Sequence, residues 1–262
     1  MTSPKMPTGR QAVWERVVRC HIIRTDPMFF LVGAAAYFAS VVSGVAGFGG
    51  ALAFLPVLVW AHGVRASVPI LTVAVLLGNL SRVWFNRREL RLDLVGLFTA
   101  GSVPGALLGS WVYVGLPPFW IKKAIGLFLV SVVVAQKLGR PLRVPDRRVF
   151  TPLGALSGFL SAIVGGIGPL SSPFFLAYGL EKEVFVGTEA FCAAGMHLTK
   201  TLAYGGLGVM GPAELKAGLA YGAVMVLGSY TARRILERLP REAFLKLVEA
   251  LLLVVGLAML FG

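Results

Sequence analysis

Eight apolar stretches dominate the chain: 28–61, 66–85, 94–114, 119–138, 150–180, 184–206, 214–232 and 241–261. A helix needs about 20 predominantly apolar residues to cross a bilayer. Within lipid, every backbone N–H and C=O must be bonded inside the protein. The pattern therefore predicts an all-α polytopic membrane protein. Composition agrees, since 56% of the residues are hydrophobic and only 14% are charged, where a soluble domain carries about 25%.

A net charge of +13 in a soluble chain would suggest nucleic acid. Here the basic residues gather in short loops between apolar runs, where they set orientation and meet anionic headgroups. The expected surroundings are a lipid bilayer, and no nucleic-acid partner is expected. Cys20 and Cys192 stand far apart with no Cys/His ligand spacing, so neither a disulfide framework, a metal site nor a cofactor is indicated. Residues 1–27 form a basic leader with Lys5, Arg10, Arg16, Arg19 and Arg24 but no apolar h-region. The first apolar run, from Met28, is too long for a cleaved signal peptide. Ala12–Ile23 reads as a basic amphipathic helix lying on the membrane surface.

Segments 28–61 and 150–180 are anomalous, each running just over 30 residues. At 1.5 Å per residue that is roughly 45–50 Å, too long for one span and too short for two with a turn. Each breaks near its centre. The first carries GFGGALAFLP (47–56) and the second GGIGP (165–169). Glycine weakens a helix and proline removes a backbone donor, so both segments are expected to be discontinuous.

The breaks belong to a longer correspondence at an interval of roughly 115–123 residues. SGVAGFGGALAFLP (43–56) resembles SAIVGGIGPLSSP (161–173), and NLSR (79–82) parallels HLTK (197–200). Gly109-Ser110 matches Gly228-Ser229, and LPPFWIKK (116–123) matches LPREAFLK (239–246). Four matches in one order predict two homologous four-segment repeats, 28–138 and 150–262, each opening with a broken or re-entrant helix and joined by a basic cytoplasmic linker, 139–149.

Loop charge leaves the topology open. The basic loops are 86–91, 137–148 and 233–241. If both long segments cross once, the 233–241 loop falls outside, against the positive-inside rule. If both return as hairpins, the halves are inverted and all three loops are cytoplasmic, but the basic leader falls outside. Each arrangement breaks the rule once.

A glycine-rich break leading into a proline, repeated in two halves of a small membrane protein, resembles the sulfite exporter TauE/SafE family of permeases. GFGGALAFLP with Thr72 and Arg87-Arg88 matches the first-half pattern, and GGIGPLSSP with Thr188 the second, with Pro169 in place of a small residue. The resemblance implies a permease for a small inorganic or organosulfur anion, a sulfur oxyanion such as sulfite or an organosulfonate, in the bacterial plasma (inner) membrane.

Elementary electrostatics points the same way. The N-terminus of a half-helix presents free N–H groups and a positive dipole end, which bind anions without a charged side chain. Gly47, Gly49, Gly50, Gly165, Gly166 and Gly168 allow a ligand close to the backbone, and Ser171 and Ser172 add hydroxyl donors. The competing reading is that these glycines only permit close helix packing.

Segment 184–206 is the most polar within the bilayer. Glu189, Ala193, His197 and Lys200 share an arc of about 80° on a helix, and Thr72, Asn79 and Arg82 share a face of the second segment. Ionisable residues inside a membrane are a functional hypothesis by default. Arg82 and Lys200 are expected to attract the anion, and Glu189 or His197 to carry a coupling proton. An imidazole suits that role because its reference pKa is about 6.5. The alternatives are snorkelling cations near segment ends, a carboxylate favoured by a helix N-terminus and a packing histidine.

Gly101, Gly105 and Gly109, and Gly218 with Gly222, repeat every four residues and predict close helix contacts. Pro104 is expected to kink its helix, with Thr99, Ser102 or a neighbouring helix taking up the freed carbonyl. No nucleotide or calcium motif, GxSxG or HExxH is present, so a non-enzymatic secondary transporter driven by an ion gradient is expected. An intramembrane enzyme and a membrane scaffold are the competing classes.

Overall fold

The first long apolar segment is two helices. In the computed structural model, which describes residues 27–138, 144, 146–180 and 182–235, α1 spans Pro27–Ala46 and α2 spans Gly50–His62. The chain turns between them through Gly47 and Gly49, whose φ angles of 80° and 93° suit glycine. It also folds back on itself. A Cβ on Gly50 would lie 2.4 Å from the Ala39 carbonyl oxygen, and Phe29 of α1 meets the same Tyr221 ring as Phe54 and His62 of α2. α1 and α2 are therefore an antiparallel hairpin.

The second long segment behaves alike. α6 (Phe150–Val164) ends at Gly165, and α7 (Gly168–Ala177) returns along it, so that Phe150 packs on Phe175 with ring centres 4.7 Å apart. Between the hairpins lie α3 (Val64–Phe85), α4 (Leu92–Gly115) and α5 (Pro118–Leu138). After the second come α8 (Lys182–Gly206) and α9 (Pro212–Ile235). No strand occurs among the described residues. The leader up to residue 26 and segment 241–261 lie outside them.

Contacts fix the helix directions. α9 runs parallel to α1: Phe29 stacks on Tyr221 toward their starts, Ser40 bonds Ser229 at 2.9 Å, and a Cβ on Gly44 would lie 2.4 Å from Ala232 Cβ toward their ends. α4 runs parallel to α6 and antiparallel to α3, whose start it meets through Tyr113 OH donating to the Arg65 carbonyl. α8 runs with α4, Gly195 meeting Thr99 and Tyr204 meeting Tyr113, and α9 runs with α3, Gly218 meeting Val73 and Gly222 Leu77, so α1, α3 and α9 point one way and α4, α6 and α8 the other. One end of the molecule gathers the α3–α4 loop, the start of α6 and the end of α9. There Asp93 lies 2.9 Å from Arg91 and 3.9 Å from Arg147, and Phe85 meets Tyr230.

Close packing of α4 on α6 rests on glycine. A Cβ on Gly101, Gly105 or Gly109 would lie 1.9, 2.1 or 2.4 Å from a carbonyl oxygen of Thr151, Ala155 or Phe159. Gly154 and Gly158 answer from α6 against Phe98 and Ser102. Gly218 and Gly222 seat α9 against Ile70, Val73 and Leu77 of α3. Each expected glycine repeat is thus a helix seam. Pro104 lies inside α4 without ending it. The Ser102 hydroxyl, expected to take up the freed carbonyl, is buried with no partner.

The distribution of polarity is that of a protein in lipid. Trp111, Leu202 and Phe38 are at least 66% exposed, whereas Arg82, Glu189, His197 and Lys200 are buried. Pro27–Gly44, Gly50–Phe85 and Leu92–Gly115 are long and apolar enough to cross a membrane by length and composition.

Candidate functional site

Helix C-termini leave carbonyl groups unpaired and carry the negative end of the helix dipole, so a nearby cation stabilises them. Both broken helices meet that need in one way. Arg82, on α3, donates through Nη1 to the carbonyls of Ser43 (3.3 Å) and Gly47 (2.8 Å) at the end of α1. Lys200, on α8, donates to the carbonyls of Ser161 (3.1 Å) and Gly165 (3.0 Å) at the end of α6, and to the Ser161 hydroxyl (2.8 Å). Each cation reaches partners 39 and 35 residues back along the chain.

The two cations then differ. An ammonium has three donors, and those of Lys200 all go to the second break; it does not line the cavity described next. Arg82 retains its second terminal nitrogen. Nη2 donates to Asn79 Oδ1 and stands 3.6 Å from Glu189 Oε2. Its guanidinium therefore holds the first break with one nitrogen and faces the cavity with the other.

That cavity lies where the breaks meet. Phe48, Gly49 and Ala51 contribute from the first, and Gly166, Ile167, Gly168 and Ser171 from the second. The contact is direct: a Cβ on Gly168 would lie 3.0 Å from Phe48 Cβ, and one on Gly166 2.5 Å from Ala51 Cβ. No side chain caps the N-terminus of α2 or α7. First-turn N–H groups of α2 therefore have no capping acceptor, whereas in α7 the Leu170 and Ser171 N–H groups donate to the Ile167 carbonyl at 2.8 and 3.3 Å and that of Gly168 is left. Pro169 removes one such donor from α7. Asn79 and Arg82 line the wall from α3, and Glu189, Ala193 and His197 from α8.

Several buried polar atoms here have no hydrogen-bond partner: Asn79 Nδ2, Glu189 Oε2 and His197 Nδ1. An unpaired donor beside a guanidinium and two half-helix N-termini favours a ligand with acceptor atoms and negative charge.

Of the residues singled out in the sequence, Gly49, Gly166, Gly168, Ser171, Asn79, Arg82, Glu189 and His197 line this cavity. Gly47 and Gly165 form the turns behind it, each lending a carbonyl to a cation. Gly50 packs against Ala39 and Ser43. Thr72 bonds back to the Val68 carbonyl at 2.8 Å. Ser172 is buried with its hydroxyl unpartnered. Thr188 accepts from the Arg91 backbone N–H at 3.1 Å, tying α8 to the α3–α4 loop. The apolar part of the wall, Val75, Phe98, Phe175 and Met196, went unmarked in the sequence. An apolar residue in an apolar segment has no distinguishing pattern.

Interrupted apolar helices around a buried polar cavity define a helical membrane protein with an internal site. The family model described as sulfite exporter TauE/SafE matches residues 32–259, and the chain belongs to that family. It is a family of membrane sulfite and anion exporters. Among curated proteins and among solved structures nothing matches the chain.

Proposed function

We propose that the chain is a secondary permease that moves a small anion, a sulfur oxyanion such as sulfite or an organosulfonate, across the bacterial plasma membrane. The observation that carries this reading is the Arg82 guanidinium facing a cavity bounded by both helix breaks, beside the unpaired Asn79 Nδ2 donor. The anion binds between the half-helices, held by Arg82, Asn79 and first-turn N–H groups. Lys200 acts through the second break, keeping α6 and α7 in place. Coupling is to an ion gradient, with a proton carried by Glu189 or His197.

We further propose that the two halves are an inverted duplication. The identical separations from Arg82 and Lys200 to their carbonyl partners support it, as do the opposed directions of α3 and α8, the start of α8 meeting Asn86 and its end meeting Tyr113 beside Arg65. Arg87, Arg88, Arg91, Arg147, Arg148 and Arg234 then share one end, which the positive-inside rule assigns to the cytoplasm.

Substrate flux in proteoliposomes tests the reading. Sulfite or methanesulfonate should cross membranes holding the protein faster than protein-free ones, and faster under an imposed pH gradient. Hydrolysis without flux would favour an intramembrane enzyme, and neither would favour a scaffold.

A further inference from the structure

A carboxylate is the wrong group to find in an anion site. Glu189 nevertheless stands there, its Oε2 3.6 Å from Arg82 Nη2, with both side chains no more than 7% exposed. That oxygen accepts no hydrogen bond. A buried ion pair offsets its desolvation only when geometry is good and the remaining lone pairs are satisfied; this pair has neither a close contact nor that bond. Across the same cavity Asn79 Nδ2 has a proton to donate and nothing to receive it. An entering anion would serve Arg82 and Asn79 together. Ionised Glu189 would oppose it, as two like charges at one site disfavour each other.

We propose that Glu189 is a proton-operated latch on the anion site. Ionised, it is the internal counterion of Arg82. When it takes up a proton, the ion pair opens and the guanidinium passes to the anion, so proton and anion bind together. The inference rests on the reading of the cavity as the anion site. The step balances: one proton adds to a carboxylate oxygen, no other covalent bond changes, and a monoanion replaces the charge that the carboxylate loses. The protonated carboxyl becomes a donor that can face the anion. Arg82 is the charged group facing Glu189 from α3, and Cys192 and His197 lie beyond it along α8. Among the described residues, α4 and α7 bring no charged side chain to the cavity. Lys200 is engaged by Ser161 and Gly165. No hydrogen bond joins His197 to Arg82 among the described residues, whereas Glu189 Oε2 faces the guanidinium at 3.6 Å. That places the latch on the carboxylate.

The test uses the full chain in detergent with methanesulfonate and sulfate, whose charges stay fixed over about pH 5 to 8. Affinity and proton uptake are measured together, the latter with a pH indicator in weak buffer. Above the titration of the latch, the wild type should lose affinity about tenfold per pH unit and take up about one proton per anion bound. Glu189→Gln keeps the shape without the titratable proton. It should bind without that slope and take up none. Two results would overturn the latch: wild-type binding without proton uptake, or a slope retained in Glu189→Gln, which its loss in His197→Gln would then assign to the imidazole. The wild-type proton count decides the matter by itself if Glu189→Gln does not fold. Binding of neither anion at any pH would be a separate result, refuting the anion site and the latch with it.

Discussion

Arg82 and Lys200 solve one problem, the exposed carbonyls at the end of a broken helix, with different chemistry left over. Lys200 is fully used. Replacing it with Met leaves the carbonyls of Ser161 and Gly165 without that donor in a buried setting. Each carbonyl keeps one neutral bond, from the Gly165 N–H and the Ser161 hydroxyl, but a hydrogen bond to a charged group contributes about 1.5–3 kcal/mol, so Lys200→Met should lower the unfolding temperature in detergent by several degrees. A variant as thermostable as the wild type would show that the ammonium does not hold the second break. The ionisable residues were legible in the sequence as rare polar positions in apolar segments. Their partners were not, because a backbone carbonyl has no residue type to mark it. The shared arc of Glu189, His197 and Lys200 gave a face of α8 but not a depth. Lys200 sits 11 residues past Glu189, a rise of about 16 Å, enough to place it at a different break.

At the scale of elements, the α4–α6 seam leaves no space for a side chain. Gly105 has no room for a Cβ, because the Ala155 carbonyl oxygen would be 2.1 Å from it. Overpacking costs typically 1–3 kcal/mol, occasionally more, and here the obstacle is backbone. Gly105→Leu should therefore yield little folded protein by size-exclusion chromatography. Gly96→Ala, on the same helix with open space around it, should be tolerated or mildly stabilising, as alanine favours a helix over glycine by up to about 1 kcal/mol. Equal yields from the two would contradict the seam. The four-residue glycine spacing announced this contact. It could not name α6 as the partner: Gly154 and Gly158 carry the same spacing, as do Gly218 and Gly222, and spacing alone does not say which helix faces which. The breaks at GFGGALAFLP and GGIGP were legible for a related reason: glycine and proline write backbone irregularity directly into the sequence. Their meeting in space was not, because it depends on how two hairpins cross.

For the whole molecule, the unresolved choice in the sequence was between crossing and returning. Charge could not make it, because each arrangement set one basic stretch on the wrong side. Contacts between Asp93 and Arg147, and between Phe85 and Tyr230, bring the basic ends together. Single cysteines placed at the exposed Arg88 and Arg148, with Cys20 and Cys192 removed, should react with an impermeant thiol reagent from one side of the membrane. Those at the exposed Arg65 and Leu207 should react from the other. Labelling of Arg88 and Arg148 positions from opposite faces would contradict the hairpin arrangement. The central claim is that the anion passes through the cavity where the breaks meet. Flux of sulfite or methanesulfonate in proteoliposomes, compared among the wild type, Arg82→Gln and the cavity-filling Ala193→Phe, tests it most directly. Protein-dependent flux in the wild type that falls at least about tenfold in both folded variants, a barrier change of about 1.4 kcal/mol, is the predicted result. Wild-type rates in Ala193→Phe and Arg82→Gln would place the pathway elsewhere.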